Sequence, residues 1–181
     1  MKEIEVKAKV RNKAELLGKI NALGIKLGPE IIQKDTIFVP PTLTSLPAEI
    51  GVPILRIREQ GNKFILTLKV RLSNGLDKQE SETEISDPVA AREIILSTGF
   101  KAMESFTKKR QKAKYQSWEI CVDEVEGLGS FVEVEEMSED GDSETIQAEL
   151  FNFLKTLGIT EADREHYGYD VLIWQKGQGK L

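Results

Sequence analysis

EIEVKAKV, residues 3–10, alternates strictly between charged and apolar side chains. Ile4, Val6, Ala8 and Val10 fall on one side of an extended chain, and Glu3, Glu5, Lys7 and Lys9 on the other. Period-two alternation marks a half-buried strand whose apolar side faces a core. What the charged side faces, water or a polar interior, decides the fold.

The rest of the chain is organised in the same way. RNKAELLGKINALG predicts a helix with Asn12 at its cap, Glu15 three residues on and Gly24 at its exit. EIIQKDTIFV reads as a strand stopped by Pro40-Pro41, before a loop in which prolines and Gly51 forbid regular structure. ILRIRE and KFILTLKVR flank the short connection Gln60-Gly61-Asn62, and Asn74-Gly75 marks a turn before KQESETEIS. DPVAAREIILSTG is a second helix capped by Asp87, with Pro88 in its first turn. ESFTKKRQKAKYQ and SWEICVDEVE are long strands, and GLG leads into SFVEVEEM. A third helix is expected from about Ser143 to Leu157, and the tail YGYDVLIWQKGQGKL reads as a short strand or helical turn with a frayed end. With no internal repeat, 181 residues are expected to make one domain, residues 1–181. Eight antiparallel strands in mostly consecutive order, with three helices between them, close into an α+β barrel that exposes no edge.

Composition narrows the function. Apolar residues make up 40% and charged residues 30% of a chain of net charge −5, which argues against general nucleic-acid binding. Cys121 is the single cysteine, so neither an intrachain disulfide nor a cysteine-based zinc site is available. There is no apolar signal core at the start and no run near the ~18–20 apolar residues of a membrane span. A soluble, cytoplasmic protein without a membrane partner is expected.

Parity applied to the other strands extends the charged face. Arg56 and Arg58 oppose Leu55 and Ile57; Thr67, Lys69 and Arg71 oppose Leu66, Leu68 and Val70. Glu80, Glu82 and Glu84 share a side, as do Lys108, Arg110 and Lys112. Glu119, Cys121 and Asp123 oppose Ile120 and Val122, and Glu133 and Glu135 oppose Val132 and Val134. A one-sided sheet with a solvated polar face gives the same alternation. Such a face usually mixes Thr, Ser, Gln and Lys, however, whereas this one repeats Glu-x-Glu, Arg-x-Arg and Lys-x-Arg. Like charges so dense on adjacent strands repel unless partners or ligands balance them. Paired carboxylates suit hard divalent cations, Mg2+ or Mn2+, and forked guanidinium donors suit phosphate oxygens. Carboxylates on one wall and guanidiniums on another point to a triphosphate–metal site.

These elements also resemble the CYTH superfamily, which holds the class IV adenylyl cyclases and thiamine triphosphatases, the triphosphate tunnel enzymes. Glu3-x-Glu5-x-Lys7 is similar to its N-terminal signature. LRIRE, LTLKV, TKKR and DEVEGLGSFVEVE follow in the family's order, the last resembling the cyclase branch. The resemblance implies an eight-stranded antiparallel tunnel, divalent-metal dependence and a triphosphate substrate such as ATP or tripolyphosphate; it also points towards a homodimer. Carried over by position, Glu3, Glu5, Asp123, Glu133 and Glu135 are the metal-side carboxylates. Lys7, Arg56, Arg58, Lys69, Lys108 and Arg110 hold the triphosphate, and the catalytic set is Glu3, Glu5, Lys7, Glu133 and Glu135. Glu82 and Glu84 match an acidic strand of less settled role. Ile37-Phe38-Val39-Pro40 departs from the Tyr-Phe-Asp that often follows Asp-Thr in the family, which weakens the choice of substrate.

The remaining candidates carry less. His166 reads as a surface or capping residue, Cys121 as a wall residue without an activating histidine, and Gly127-Leu128-Gly129 as a hairpin turn with no Walker lysine. Trp118 and Trp174 read as packing residues, and KKRQKAK lacks the interleaved aromatics of a nucleic-acid strand. The sequence therefore predicts a metal-dependent enzyme, an adenylyl cyclase making cyclic AMP and pyrophosphate or a hydrolase of inorganic, thiamine or nucleoside triphosphate. A module that binds polyphosphate or nucleotide without turnover is the non-enzyme reading. Arg58→Ala is expected to weaken turnover by at least about tenfold while sparing the fold. Glu136, on the opposite face, is the control, and Glu136→Gln should be close to silent.

Overall fold

The computed structural model describes residues 2–72, 76–139 and 142–181, so the expected turn at Asn74-Gly75 lies outside the described residues. The elements run β1 (Lys2–Val10), α1 (Lys13–Ala22), β2 (Ile31–Val39), β3 (Pro53–Gln60), β4 (Lys63–Arg71), β5 (Asp77–Ile85) and α2 (Pro88–Ser97). They continue with β6 (Lys101–Tyr115), β7 (Trp118–Val125), β8 (Gly129–Ser138), α3 (Ser143–Thr156), a 3-10 turn (Glu161–Asp163), β9 (Arg164–Glu165) and α4 (Tyr169–Gly177). Strand order is β5-β4-β3-β2-β6-β7-β8-β1-β9, and β5 also pairs with β1, so the eight long strands close into the expected antiparallel barrel of an α+β fold.

Backbone contacts group the chain into two compact units, Met1–Ile31 with Lys109–His166, and Ile32–Lys108 with Tyr167–Leu181. In the first unit, the even-numbered residues of β1 and β8 and their counterparts on β7 supply one apolar face. Val6, Ala8, Ile120, Val122, Val132 and Val134 pack there against Leu16 and Ile20 of α1 and Leu150, Phe151 and Leu154 of α3. Burying each of these larger side chains contributes about 1.5–3 kcal/mol. The helices stop and start where their caps dictate. Asn12 accepts from Glu15 N at 3.2 Å, Gly24 leaves α1 at φ +75°, and Asp142 accepts from Thr145 N at 2.9 Å.

In the second unit, Phe38, Ile57 and Ile95 form a core under α2, whose cap Asp87 accepts from Val89 N and Ala90 N. A separate cluster joins Ile37, Val39, Leu46, Ala48, Ile54 and Val171, with Phe106 and Trp174 packed against it. Ile37 and Ile54 lie on the same strand faces as Asp35 and Arg56, so in this unit one stretch of the charged side is apolar. The segment that departs from the family pattern thus lines that side with aliphatic carbon.

Two expectations change. The tail is a helix, α4, whose buried residues are Tyr169, Val171 and Leu172. Nine residues offer too few periods to separate a helix from the apolar strand that YDVLIW resembles. The apolar face of β4 is not fully covered: Leu68 is 37% exposed.

Candidate active site

The first unit gathers acid. Across β1, β8 and β7 the register places Glu5, Glu135 and Glu119 in one row, and Lys7, Glu133 and Cys121 in the next. Glu5, Lys7, Asp123 and Glu133 are all nearly inaccessible, so the charged face is interior to the protein rather than solvated. Lys7 Nζ answers two carboxylates, Glu133 Oε1 at 3.1 Å and Glu5 Oε1 at 3.4 Å. Arg110 forks onto Asp123, Nε to Oδ1 at 2.7 Å, and its Nη2 also reaches Glu133. Burial works against the Arg110 charge, but Glu133 and Asp123 outweigh it and hold the guanidinium firmly ionised. Lys112 pairs with Glu119.

One acidic residue is left under-compensated. Burial, then the charges of Glu3, Glu5 and Glu133, push the Glu135 carboxyl up to about 8, despite the nearby Arg110. Oxygens of Glu3, Glu5 and Glu135 lie within 4.8 Å of one another, and Glu135 forms a second such group with Glu119 and Cys121. Three grouped hard oxygen donors fit a divalent cation such as Mg2+ or Mn2+. The Cys121 thiol, by contrast, is pushed up by burial and faces Glu119 at 3.8 Å, which suits the wall residue expected of it.

The second unit gathers base. Arg58 forks onto Asp35, Nε to Oδ1 and Nη2 to Oδ2, both at 2.7 Å. Burial alone would raise the Asp35 carboxyl, but the hydrogen bonds and charge of Arg58 outweigh it and hold it at about 2. Arg56 Nη2 donates to Thr67 Oγ1 at 2.9 Å and meets Glu82 at 3.4 Å, while Arg56 Nε is buried with no partner among the described residues. Burial and the adjacent Arg58 charge lower the Arg56 pKa, the signature of a guanidinium that an anion would satisfy. Lys69 pairs with Glu80 at 2.5 Å, and Lys108 Nζ stands 4.9 Å from the Tyr169 ring centroid.

Of the residues assigned to the metal, Glu3, Glu5 and Glu135 are brought together. Asp123 and Glu133 are not in that group; both are engaged by Arg110, and Glu133 also by Lys7. Lys7 and Arg110, assigned to phosphate by the family resemblance, stand among the acids of the first unit. Arg56, Arg58, Lys69 and Lys108 lie together in the second. Of the acidic strand, Glu80 is mostly buried, Glu82 is 50% exposed at its side chain, and Glu84 pairs with Lys63 at the surface. Asp35 and Tyr169 were missed. Gln33-x-Asp35 carries the period-two signal in β2, whereas Tyr169 depends on a helix that the sequence did not resolve. One further expectation changes: Arg58 supports a buried carboxylate, so its loss is expected to lower stability. Glu136 accepts from Trp118 Nε1 at 3.0 Å, a contact that a glutamine can keep.

Known proteins share this architecture. A Methanocaldococcus jannaschii protein, named as a candidate adenylate cyclase, is 29% identical over 164 residues, 89% of this chain and 92% of its own length. A solved Pyrococcus furiosus structure is 30% identical with a TM-score of 0.78, covering 93% of this chain and 98% of its own. A Hippeastrum protein, described as a candidate adenylyl cyclase with a dominant triphosphatase activity, shares the fold at 21% identity and TM-score 0.61, covering 99% of this chain and 96% of its own. No helix among the described residues is long and apolar enough to cross a membrane. The CYTH domain profile matches residues 1–169, nearly the whole of the barrel and its helices, and the chain belongs to the CYTH domain family.

Proposed function

We propose that the protein is a divalent-metal-dependent enzyme acting on a triphosphate, and that it works as a class IV adenylyl cyclase converting ATP to cyclic AMP and pyrophosphate in the cytoplasm. The observation that carries this reading is a carboxylate group, Glu3, Glu5 and Glu135, with oxygens within 4.8 Å of one another, together with a buried guanidinium, Arg56, whose Nε has no partner among the described residues. The first wants a cation, and the orphaned Arg56 Nε wants an anion.

Arg56, Arg58, Lys69 and Lys108 are assigned to the phosphates, with Arg56 donating through Nε and Asp35 holding the Arg58 fork in place. Glu3, Glu5 and Glu135 are assigned to the metal, with Lys7 and Arg110 fixing Glu133 and Asp123 around them. A bound divalent cation would neutralise phosphate charge and activate the attacking hydroxyl, since phosphoryl chemistry needs positioning and charge neutralisation above all. In the cyclase reaction the substrate's 3′-oxygen bonds to the α-phosphorus and pyrophosphate leaves with the electron pair of the broken bond. With water as the attacking group, the same residues would serve a triphosphatase. The name of the Methanocaldococcus jannaschii relative supports the cyclase reading.

The test is incubation with Mg2+ or Mn2+ and ATP, tripolyphosphate or thiamine triphosphate, with products separated by chromatography. Cyclic AMP is the expected product. Orthophosphate alone would replace the cyclase by a hydrolase, and no product from any substrate would leave a binding module.

A further inference from the structure

We propose that Gln33 and Gln60 form a subsite that reads the nucleoside part of the substrate, so that the protein selects nucleoside triphosphates over inorganic triphosphate. This inference rests on the function proposed above. Along β2 and β3 the cross-strand pairs succeed one another as Ile37 opposite Arg56, Asp35 opposite Arg58, and Gln33 opposite Gln60. Same-face residues of a strand are about 6.7 Å apart, so the two amides stand one step beyond the Arg58 guanidinium. At that step β2 and β3 carry neutral amides in place of the ionised Asp35 and Arg58.

The amide pair is incomplete in a specific way. Gln33 is 2% exposed and its Nε2 donates to Gln60 Oε1 at 2.6 Å, while Gln33 Oε1 is buried with no hydrogen-bond partner among the described residues. A buried carbonyl left unanswered is costly. An ionised phosphate cannot answer it, because neither oxygen carries a proton. The group that completes Gln33 must be an N–H or O–H. The Gln60 amide nitrogen, in turn, keeps its donor hydrogens outside the 2.6 Å bond and asks for an acceptor. Exchanging oxygen and nitrogen in both amides leaves the same offer, one donor beside one acceptor.

A base edge or sugar hydroxyl supplies both complements, whereas tripolyphosphate supplies acceptors alone. A site built with such groups penalises a ligand that leaves them unpaired. Gln33 and Gln60 therefore act as specificity-determining residues, while the guanidiniums serve any triphosphate.

Calorimetric titration with ATP and with inorganic tripolyphosphate, both in EDTA so that neither turns over, tests this. Gln33→Met removes the acceptor at similar volume; Gln60→Met, at a partly exposed position, provides a second variant should the first fold poorly. Each is expected to weaken ATP binding about three- to tenfold and to leave tripolyphosphate binding within about twofold of the parent, so that the ratio between the two ligands falls. Equal weakening of both ligands, or no change in either, would overturn the subsite and leave the amides a structural role. A parent that binds neither ligand in EDTA and yields no product from either with Mg2+ would overturn the triphosphate reading itself.

Discussion

Replacing Arg58 by alanine withdraws a guanidinium from a carboxylate that receives two N–H bonds at 2.7 Å, with Asp35 at 2% and Arg58 at 8% exposure. Removing one partner of a buried pair costs about 3–5 kcal/mol, because the remaining charge is left uncompensated. For a domain of this size that corresponds to a fall in Tm of about 6–20 °C. Arg58→Lys should recover only part of it, since an ammonium cannot fork onto both oxygens. The volume-matched double variant Asp35→Leu/Arg58→Met removes both charges and should return close to parental stability. The deficit should also depend on pH. Asp35 titrates near 2 in the folded parent and near 3.8 in the unfolded chain. The pair's contribution, about 2 kcal/mol from that difference, is present above pH 3.8 and lost as pH falls through 2. In Arg58→Ala, burial raises the Asp35 carboxyl instead, so the penalty is largest near neutrality and fades in acid. Urea denaturation followed by circular dichroism at pH 7, 5 and 3 measures all of this. A single variant as stable as its parent at pH 7, or a double variant no better than the single, refutes the reasoning.

Three other outcomes are expected. Glu5→Gln and Glu135→Gln should each abolish most of the Tm increase that Mg2+ gives the parent, and should be as stable as the parent or more so without metal; an undiminished Mg2+ shift in either variant rules out the metal assignment. Because the folded Glu135 carboxyl titrates near 8, above its unfolded value of 4.5, it favours folding below pH 4.5 and loses that contribution as pH rises through 8. Metal-free stability should therefore decline across that window in the parent and decline less in Glu135→Gln, as a thermal-shift series in EDTA will show. Glu136→Gln keeps an acceptor for Trp118 and should be silent in turnover and stability, whereas Glu136→Ala should cost about 1 kcal/mol in urea denaturation with kcat unchanged.

How far the sequence speaks depends on what each inference requires. The alternation of β1, β7 and β8 needs only backbone parity, and it placed Glu3, Glu5 and Glu135 on one face where the structure finds them grouped. Parity says which side a residue takes, but not which neighbour it meets. Lys7 and Arg110 were assigned to phosphate by their place in the family pattern, which names no neighbours. Their partners, Glu133 and Asp123, follow from strand register, which depends on turn lengths and on pairings between distant segments. Asp35 was within reach, since Gln33-x-Asp35 shares a face, but Ile37 breaks the polar series and hides it. Tyr169 was out of reach because a nine-residue helix owes its existence to the surface it packs on rather than to its own periodicity.

The long-range pairing of β1 sets the order in which the acidic group can assemble. During synthesis Lys2 emerges long before its partner Ser138, and Val10 before Ser130. The β3–β4 hairpin, joined by Gly61-Asn62, and the β7–β8 hairpin need only local closure and can form early. Until then β1 is an unmatched edge, and Glu3, Glu5, Lys7 and Lys9 are the charges that discourage it from pairing with another chain. Their presence on β1 thus also serves the nascent protein. In pulse-labelled hydrogen exchange, amides of β1 should gain protection after those of β3 and β4; protection of β1 first would place its pairing at the start of folding.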